Sequence, residues 1–318
     1  MHSRLVIVLL AGVLVQGCTF NFPLFPVPGP MQETQISGTG DGKVLLIDLS
    51  GVISSQDKEG LIRQPNMLAT FREELTKASK DDKIQALVVR INSPGGTVTA
   101  SDILYHELRE FKTKKKVPVI ASMMDVATSG GYYLAMAADR IVVHPSTVTG
   151  SIGVIMLTVN ARGLLEKVGV EANAITSGPR KDMGLPFRAM TAEERGIFQG
   201  VIDSFYNRFL VVVQEGRPNL SAEQIKKLAD GRIYSGDQAK AAGLIDEIGY
   251  LDEAIELAKK KAGLTEARVV TYGRRGEYQN NIYSQLFGTS SSMAALANLD
   301  VLSMVRGGTP QFMYLWMP

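Results

Sequence analysis

Three short loops carry the residue types that could do chemistry. The first reads Asn92-Ser93-Pro94-Gly95-Gly96 and falls between a predicted strand and a predicted helix. Glycines at such a junction let backbone N–H groups face outward, where they can hold a developing negative charge. A Pro-Gly-Gly sequence is also an ordinary turn. The second loop reads Thr128-Ser129-Gly130-Gly131-Tyr132-Tyr133. Ser129 stands where a helix begins. As an N-cap, its hydroxyl would satisfy a free amide. As a nucleophile, it would have the helix dipole and free N–H groups to stabilise an oxyanion. The third loop, Ser177-Gly178-Pro179-Arg180-Lys181-Asp182-Met183-Gly184, is rich in turn residues. Lys181 there is either a solvated loop lysine or a base.

Together these residue types would attack a carbonyl. A serine nucleophile needs a base, and neither histidine of the body is well placed for it. His106 falls in a charged helical stretch, and His144 ends the apolar run Ile141-Val142-Val143 and reads as structural. With His2, the three show no metal-type spacing. A lysine can serve if it is neutral. Bringing its pKa from about 10.4 to 7–8 costs roughly 4 kcal/mol, which burial among apolar groups can supply. Met183, Leu185, Pro186 and Phe187 are the neighbouring candidates for such walls.

The elements that must position these loops alternate. Strands are predicted at 44–49, 84–91, 117–122, 141–143 and 170–175. Helices are predicted at 67–79, 101–111, 129–138, 161–168, 191–215, from Ser221, and at 252–262. Strands apolar on both faces, alternating with helices, imply a mostly parallel α/β sheet covered by helices. From residue 275 the pattern weakens. Residues 284–292 are polar, 293–305 give a faint helix signal, and Phe312-Met313-Tyr314-Leu315-Trp316-Met317 is strongly apolar. That stretch is either an unstructured, aggregation-prone tail or one that docks on the protein, a neighbouring subunit or lipid. No internal repeat is visible.

Composition bounds the rest. The chain has 318 residues, 45% hydrophobic and 21% charged, enough for one or two domains with a sizeable core. A net charge of +2 and a single tryptophan give no footing for nucleic acid. Met1–Arg4 is basic, Leu5–Val15 is apolar, and Gln16-Gly17-Cys18 follows, which has the form of an export signal over residues 1–17. The apolar run is shorter than the roughly 20 residues a spanning helix needs. Cys18 is the only cysteine, so no intramolecular disulfide is possible. Val15-Gln16-Gly17-Cys18 resembles the lipobox of bacterial lipoproteins, although Gln16 departs from the usual small residue. That resemblance implies lipidation of Cys18 and stable membrane attachment. Thr19 follows, where an aspartate would mark inner-membrane retention, so either membrane is open. Residues 19–42, rich in Pro and Gly, read as a tether. The expected organisation is signal peptide 1–17, lipidated cysteine and tether 18–42, folded domain 43–273 and tail 274–318.

The three loops, with Ala138-Asp139-Arg140-Ile141, Thr149-Gly150-Ser151-Ile152-Gly153-Val154 and Gly231-Arg232-Ile233-Tyr234-Ser235-Gly236, resemble the signal peptide peptidase SppA family in its short form. The likeness runs from about Lys43 to Gly273. It implies a ClpP/crotonase-like α/β fold and a serine-type endopeptidase acting through a Ser–Lys dyad. Ser129 matches the nucleophile, and Lys181, 52 residues later, the general base. Ser151 matches a serine that orients the lysine, and the Gly96 and Gly130 amides match the oxyanion hole. No metal or organic cofactor is implied. The implied partners are signal peptides or other apolar extended segments, membrane lipid through Cys18, and further copies of the chain in a ring whose neighbours share nucleophile and base. Cys18 replaces the spanning anchor common among relatives, which puts leftover signal peptides as the true substrate in doubt. The apolar tail has no counterpart in the resemblance, and one expectation is that it occupies the substrate groove. Three other readings share features with this one: a stomatin-directed protease of the same clan, a crotonase-like CoA enzyme, and an inactive lipoprotein scaffold.

Overall fold

Long apolar runs build the centre of the molecule. The computed structural model describes residues 29–56, 66–274, 280–284 and 311–317. The predicted signal peptide, Cys18 and the faint helix at 293–305 lie outside these residues. Strands β2 (Lys43–Ser50), β3 (Ile84–Ser93) and β5 (Val119–Thr128) lie side by side and parallel, with Ile47 opposite Val89 and Val89 opposite Ala121. Alternate residues serve two cores. Leu45, Ile47 and Leu49 join Phe71 and Leu75 of α1 (Met67–Ser79) and Leu104 of α2 (Val98–Lys115). Val44, Leu46 and Val88 meet Leu251, Ala254 and Ile255 of α8 (Leu251–Lys261) on the other face. Burial on both faces explains why these strands lack polar alternation.

The main sheet runs β1-β11-β2-β3-β5-β6-β10. Here β1 is Gln32–Ser37, β6 is Arg140–Val143, β10 is Glu247–Ile248 and β11 is Arg268–Gly273. β1 is antiparallel to β11, and β11 is parallel to β2. Part of the stretch expected to be a tether is thus an edge strand. Its residues alternate exposed and half-buried, and pairing supplies the backbone bonds that composition alone could not forecast. At the carboxyl end of β5 the sheet continues through β7 (Val148–Gly150), parallel to β5, and β9 (Ile233–Ser235), antiparallel to β7. A second small sheet holds β4 (Gly95–Thr97), β12 (Phe312–Leu315) and β8 (Ile155–Met156).

The remaining helices are α3 (Gly130–Ala135), α4 (Arg162–Lys167), α5 (Ala192–Gly216), α6 (Ala222–Leu228) and α7 (Gly236–Ala241). Capping boxes start three of them, Thr191 with Glu194, Ser221 with Gln224 and Ser235 with Gln238. The strand expected at 170–175 is absent. Its side chains are solvent-exposed and no neighbouring strand pairs with it. The C-terminal segment is tied back to the sheet: buried Arg90 on β3 pairs with Asp48 at 2.6 Å and also donates to the carbonyls of Ile282 and Ser284. Among the described residues, no helix is long and apolar enough to cross a membrane.

Candidate active site

Ser129 sits at the turn from β5 into α3 with φ +51° and ψ −114°. A non-glycine residue in this region carries strain of about 1–3 kcal/mol, so the surroundings must hold it there. They do so through the backbone. The Ser129 amide donates to the Gly150 carbonyl at 2.7 Å, and the Ser129 carbonyl accepts from the Tyr133 amide at 2.8 Å. The side chain does not cap the helix. Its hydroxyl is buried, at 1% residue exposure, and has no hydrogen-bond partner. The neighbouring Thr128 hydroxyl is buried and unpartnered too. A buried hydroxyl without a partner costs free energy, and such groups in native proteins need a reason.

The glycine loop presses against this turn. Ser93 anchors it, its hydroxyl donating to the Gly51 carbonyl at 2.7 Å and accepting from the Gly95 amide at 3.1 Å. Ile53 binds the Gly95 carbonyl from the other side at 2.8 Å. Gly95 has φ +99°, and a Cβ there would fall 2.7 Å from the Gly130 nitrogen. A Cβ on Gly130 would fall 3.2 Å from the Gly96 nitrogen and 2.4 Å from the Ser101 hydroxyl. The two amides expected to hold an oxyanion are therefore neighbours, and glycine is what lets the two backbones approach this closely.

Ser151 follows Gly150, whose carbonyl fixes Ser129. It also adopts positive φ, +49°, is nearly buried at 8% exposure, and its amide donates to the Arg232 carbonyl at 2.8 Å. Ser129, Ser151, Gly96 and Gly130 thus gather at the carboxyl ends of β3, β5 and β7, where parallel α/β sheets expose their loops. Lys181 is not gathered with them. It is exposed on the turn after Gly178, and the Ser129 hydroxyl has no partner among the described residues. Of the four residues expected to wall it, Met183, Leu185 and Pro186 are only half-buried and Phe187 is exposed. Arg188 pins this turn to α5, pairing with Asp182 at 2.6 Å and with Glu194. The arm that carries Lys181 exposes Leu157, Val159, Leu164, Val168, Val170, Ile175 and Phe187.

Sequence reasoning missed a set of aromatic side chains beside the turn. Tyr133, four residues after Ser129, meets Tyr105 edge-on at 5.3 Å and Phe209 at 5.0 Å. Its hydroxyl donates to Asp102, and burial with that carboxylate pushes its pKa far up. Phe205 and Phe209, one turn apart on α5, were the available signal. Against them lies the apolar tail, which the structure docks onto the chain itself. β12 pairs antiparallel with β4 on one side and with β8 on the other. His144 contacts Ser146 at 2.8 Å and Tyr250 edge-on at 4.9 Å, and His106 is exposed on α2.

A strand-to-helix serine, strained and set on a glycine cradle at the end of a parallel α/β sheet, defines a serine-type peptidase of the ClpP-like class. The model of peptidase family S49 matches residues 111–265, and that of the Clp protease matches residues 63–149. A protein of Enterococcus faecium bearing the name signal peptide peptidase SppA is 37% identical over 242 residues, 76% of this chain and 70% of the relative. Protease 4 of Salmonella typhi is 33% identical over 224 residues, 70% of this chain and 36% of that longer protein. The chloroplastic serine protease SPPA of Arabidopsis thaliana is 34% identical over 241 residues, 74% of this chain and 35% of its own length. The chain belongs to the signal peptide peptidase SppA family of serine peptidases.

Proposed function

We propose that this chain is a membrane-anchored endopeptidase that hydrolyses apolar, extended peptides, remnant signal peptides among them, with Ser129 as nucleophile and Lys181 as general base. The observation that carries this reading is the buried, unpartnered Ser129 hydroxyl on a strained turn beside the Gly96 and Gly130 amides. Neutral Lys181 takes the Ser129 proton while Oγ bonds to the peptide carbonyl carbon. The oxyanion rests on the two glycine amides. Lys181 then protonates the leaving amine as the C–N bond breaks. Water, deprotonated by the same lysine, releases the acyl group and restores the serine. Ser151 orients the lysine.

The base comes from a neighbouring copy. Within one chain Lys181 is exposed and Ser129 is left without a partner, and the arm bearing Lys181 offers apolar side chains that a second subunit would cover. A ring of copies, held to the envelope membrane on its periplasmic side by lipid on Cys18, completes the picture.

The test is peptide hydrolysis by the full chain and its variants. Ser129→Ala and Lys181→Ala are each expected to lose at least about 10³-fold in kcat/KM. Lys181→Arg is expected to be as inactive, because a guanidinium does not deprotonate near neutral pH. Activity in Lys181→Arg equal to that of the parent rejects the lysine base. Mixing the two inactive variants, Ser129→Ala and Lys181→Ala, is expected to restore partial activity, since mixed assemblies contain intact pairs. No recovery after confirmed subunit exchange rejects a base supplied by a neighbour.

A further inference from the structure

The glycine cradle beside Ser129 is fastened from behind, and the fastening decides which way its amides point. The peptide bonds of the described residues are all trans. In a trans peptide the carbonyl and the N–H leave the chain in opposite directions, so holding one end of the unit aims the other. The unit joining Gly95 to Gly96 is held by its carbonyl, which accepts from the Ile53 amide at 2.8 Å. Its N–H, that of Gly96, is turned away from Ile53. The Gly96 nitrogen lies 3.2 Å from where a Cβ on Gly130 would stand. The amide expected to hold an oxyanion is thus aimed at the nucleophile turn by a hydrogen bond on the far side of its own plane.

The brace that supplies this bond is the short segment 51–53 after β2. Its Ile53 carbonyl also accepts from the Thr97 amide at 2.9 Å, and its Gly51 amide donates to the Asn92 carbonyl at 2.9 Å. One side chain joins brace to cradle. The Ser93 hydroxyl donates to the Gly51 carbonyl and accepts from the Gly95 amide, so it fixes the start of both. Ser93 is completely buried and lies opposite Ala127 of β5, the residue two before Ser129. Its carbonyl is 2.9 Å from where a Cβ on Gly131 would stand. Brace, cradle and nucleophile helix therefore meet at this one residue. Without the hydroxyl, a buried donor and a buried acceptor both lose their partner. Glycine backbone on either side then has the freedom to rotate toward others.

We propose that Ser93 is a positioning residue for the reaction: through Gly51 and Gly95, its hydroxyl sets the plane of the Gly95–Gly96 peptide so that the Gly96 amide meets the oxyanion formed when Ser129 attacks. This rests on Ser129 being the nucleophile of the proposed reaction. An amide aimed in advance stabilises charge that develops only in the transition state. The hydroxyl therefore acts on turnover and not on the binding of uncleaved peptide.

The test compares Ser93→Ala with Thr271→Val, both in the full chain. Thr271 makes a bond of the same kind, its buried hydroxyl donating to the Leu46 carbonyl at 3.0 Å, but on β11, with β2 between it and β3. The turnover arm measures kcat and KM on quenched apolar peptides. Ser93→Ala is expected to lower kcat at least about 20-fold with KM within about twofold of the parent, short of the roughly 10²–10³-fold that loss of an oxyanion donor itself costs. Thr271→Val is expected to keep kcat within about twofold. A merely structural hydroxyl would lower Tm in both variants and kcat in neither. A kcat for Ser93→Ala within about twofold of the parent, or a loss confined to KM, overturns the proposal. The second arm follows hydrogen–deuterium exchange of the Gly95 and Gly96 amides, which needs no turnover. Both are expected to exchange at least about tenfold faster in Ser93→Ala and at the parent's rate in Thr271→Val. Unchanged exchange in Ser93→Ala overturns the brace. Faster exchange in Ser93→Ala, where the parent itself cleaves nothing, sustains the brace and rejects the peptidase mechanism instead.

Discussion

Ser129 holds a positive φ against its own preference, and that strain is measurable. Ser129→Gly removes the Cβ from an unfavourable backbone region, while Ser129→Ala keeps it there. The glycine variant is expected to be more stable than the alanine variant by about 1 kcal/mol, after allowing for glycine's greater freedom in the unfolded chain. Thermal unfolding of the two inactive proteins checks this, and equal Tm values would mean the turn is relaxed. Gly95→Ala is expected to cost about 1–3 kcal/mol, because φ +99° and the Tyr314 carbonyl leave a methyl no room. It should abolish peptide hydrolysis by unseating whatever lies on the cradle, which a kinetic assay reads directly. At this scale the sequence put Ser129 and the Gly95-Gly96 loop at strand–helix junctions, and the structure has them there. The sequence was silent about the aromatic set around Tyr133. That set joins residues 105, 209 and 314, and no local pattern couples positions so far apart.

The turn carrying Lys181 depends on α5, and the link is ionic. Arg188 reaches Asp182 within the turn and Glu194 at the first turn of the helix. The guanidinium, with the Thr191 amide, holds the Glu194 carboxyl down to about 2, and Arg188 also lowers that of Asp182. Both carboxyls bind protons less readily when folded than unfolded. Their contribution is therefore fully present above the ordinary carboxylate range and is lost as pH falls toward 2. The parent is expected to lose Tm steeply between about pH 4.5 and 2, and Arg188→Ala to start lower and show a flatter slope. Parallel slopes would show that this knot does not govern the turn. Activity of Arg188→Ala should fall as well, because Lys181, the proposed base, is then held only by its loop. Helix positions such as Met67–Ser79 were readable from apolar spacing, and the helices expected from about Thr191 and Ser221 begin there, each with a capping box. The strand expected at 170–175 failed for the opposite reason: its apolar residues were real, but a strand exists only where another strand accepts its hydrogen bonds.

In the whole chain Lys181, the proposed base, stands on an exposed arm. Exposed Leu164, Val168, Val170 and Ile175 lie on the same arm as Lys181. Large apolar side chains exposed along one stretch of chain fit a contact surface. Val168→Asp is expected to lower the assembly state, measured by light scattering, and to abolish hydrolysis while Tm changes little, because residue 168 is exposed within the chain. An unchanged assembly with full activity would remove the arm from the interface. The α/β class was legible because strands buried on both faces cannot hide their composition. The exposed apolar arm was not, since its apolar residues look like core when read in the sequence.

One feature of the tail bears on handling the protein without it. β12 is bonded along both of its sides, to β4 and to β8. Taking it out uncovers two rows of unpaired backbone donors and acceptors facing one another, lined by aromatic rings. Such edges invite any extended chain, including a neighbour's. A chain truncated before Gln311 should therefore precipitate at lower concentration than the parent, and an added Phe-Met-Tyr-Leu-Trp peptide should restore its solubility.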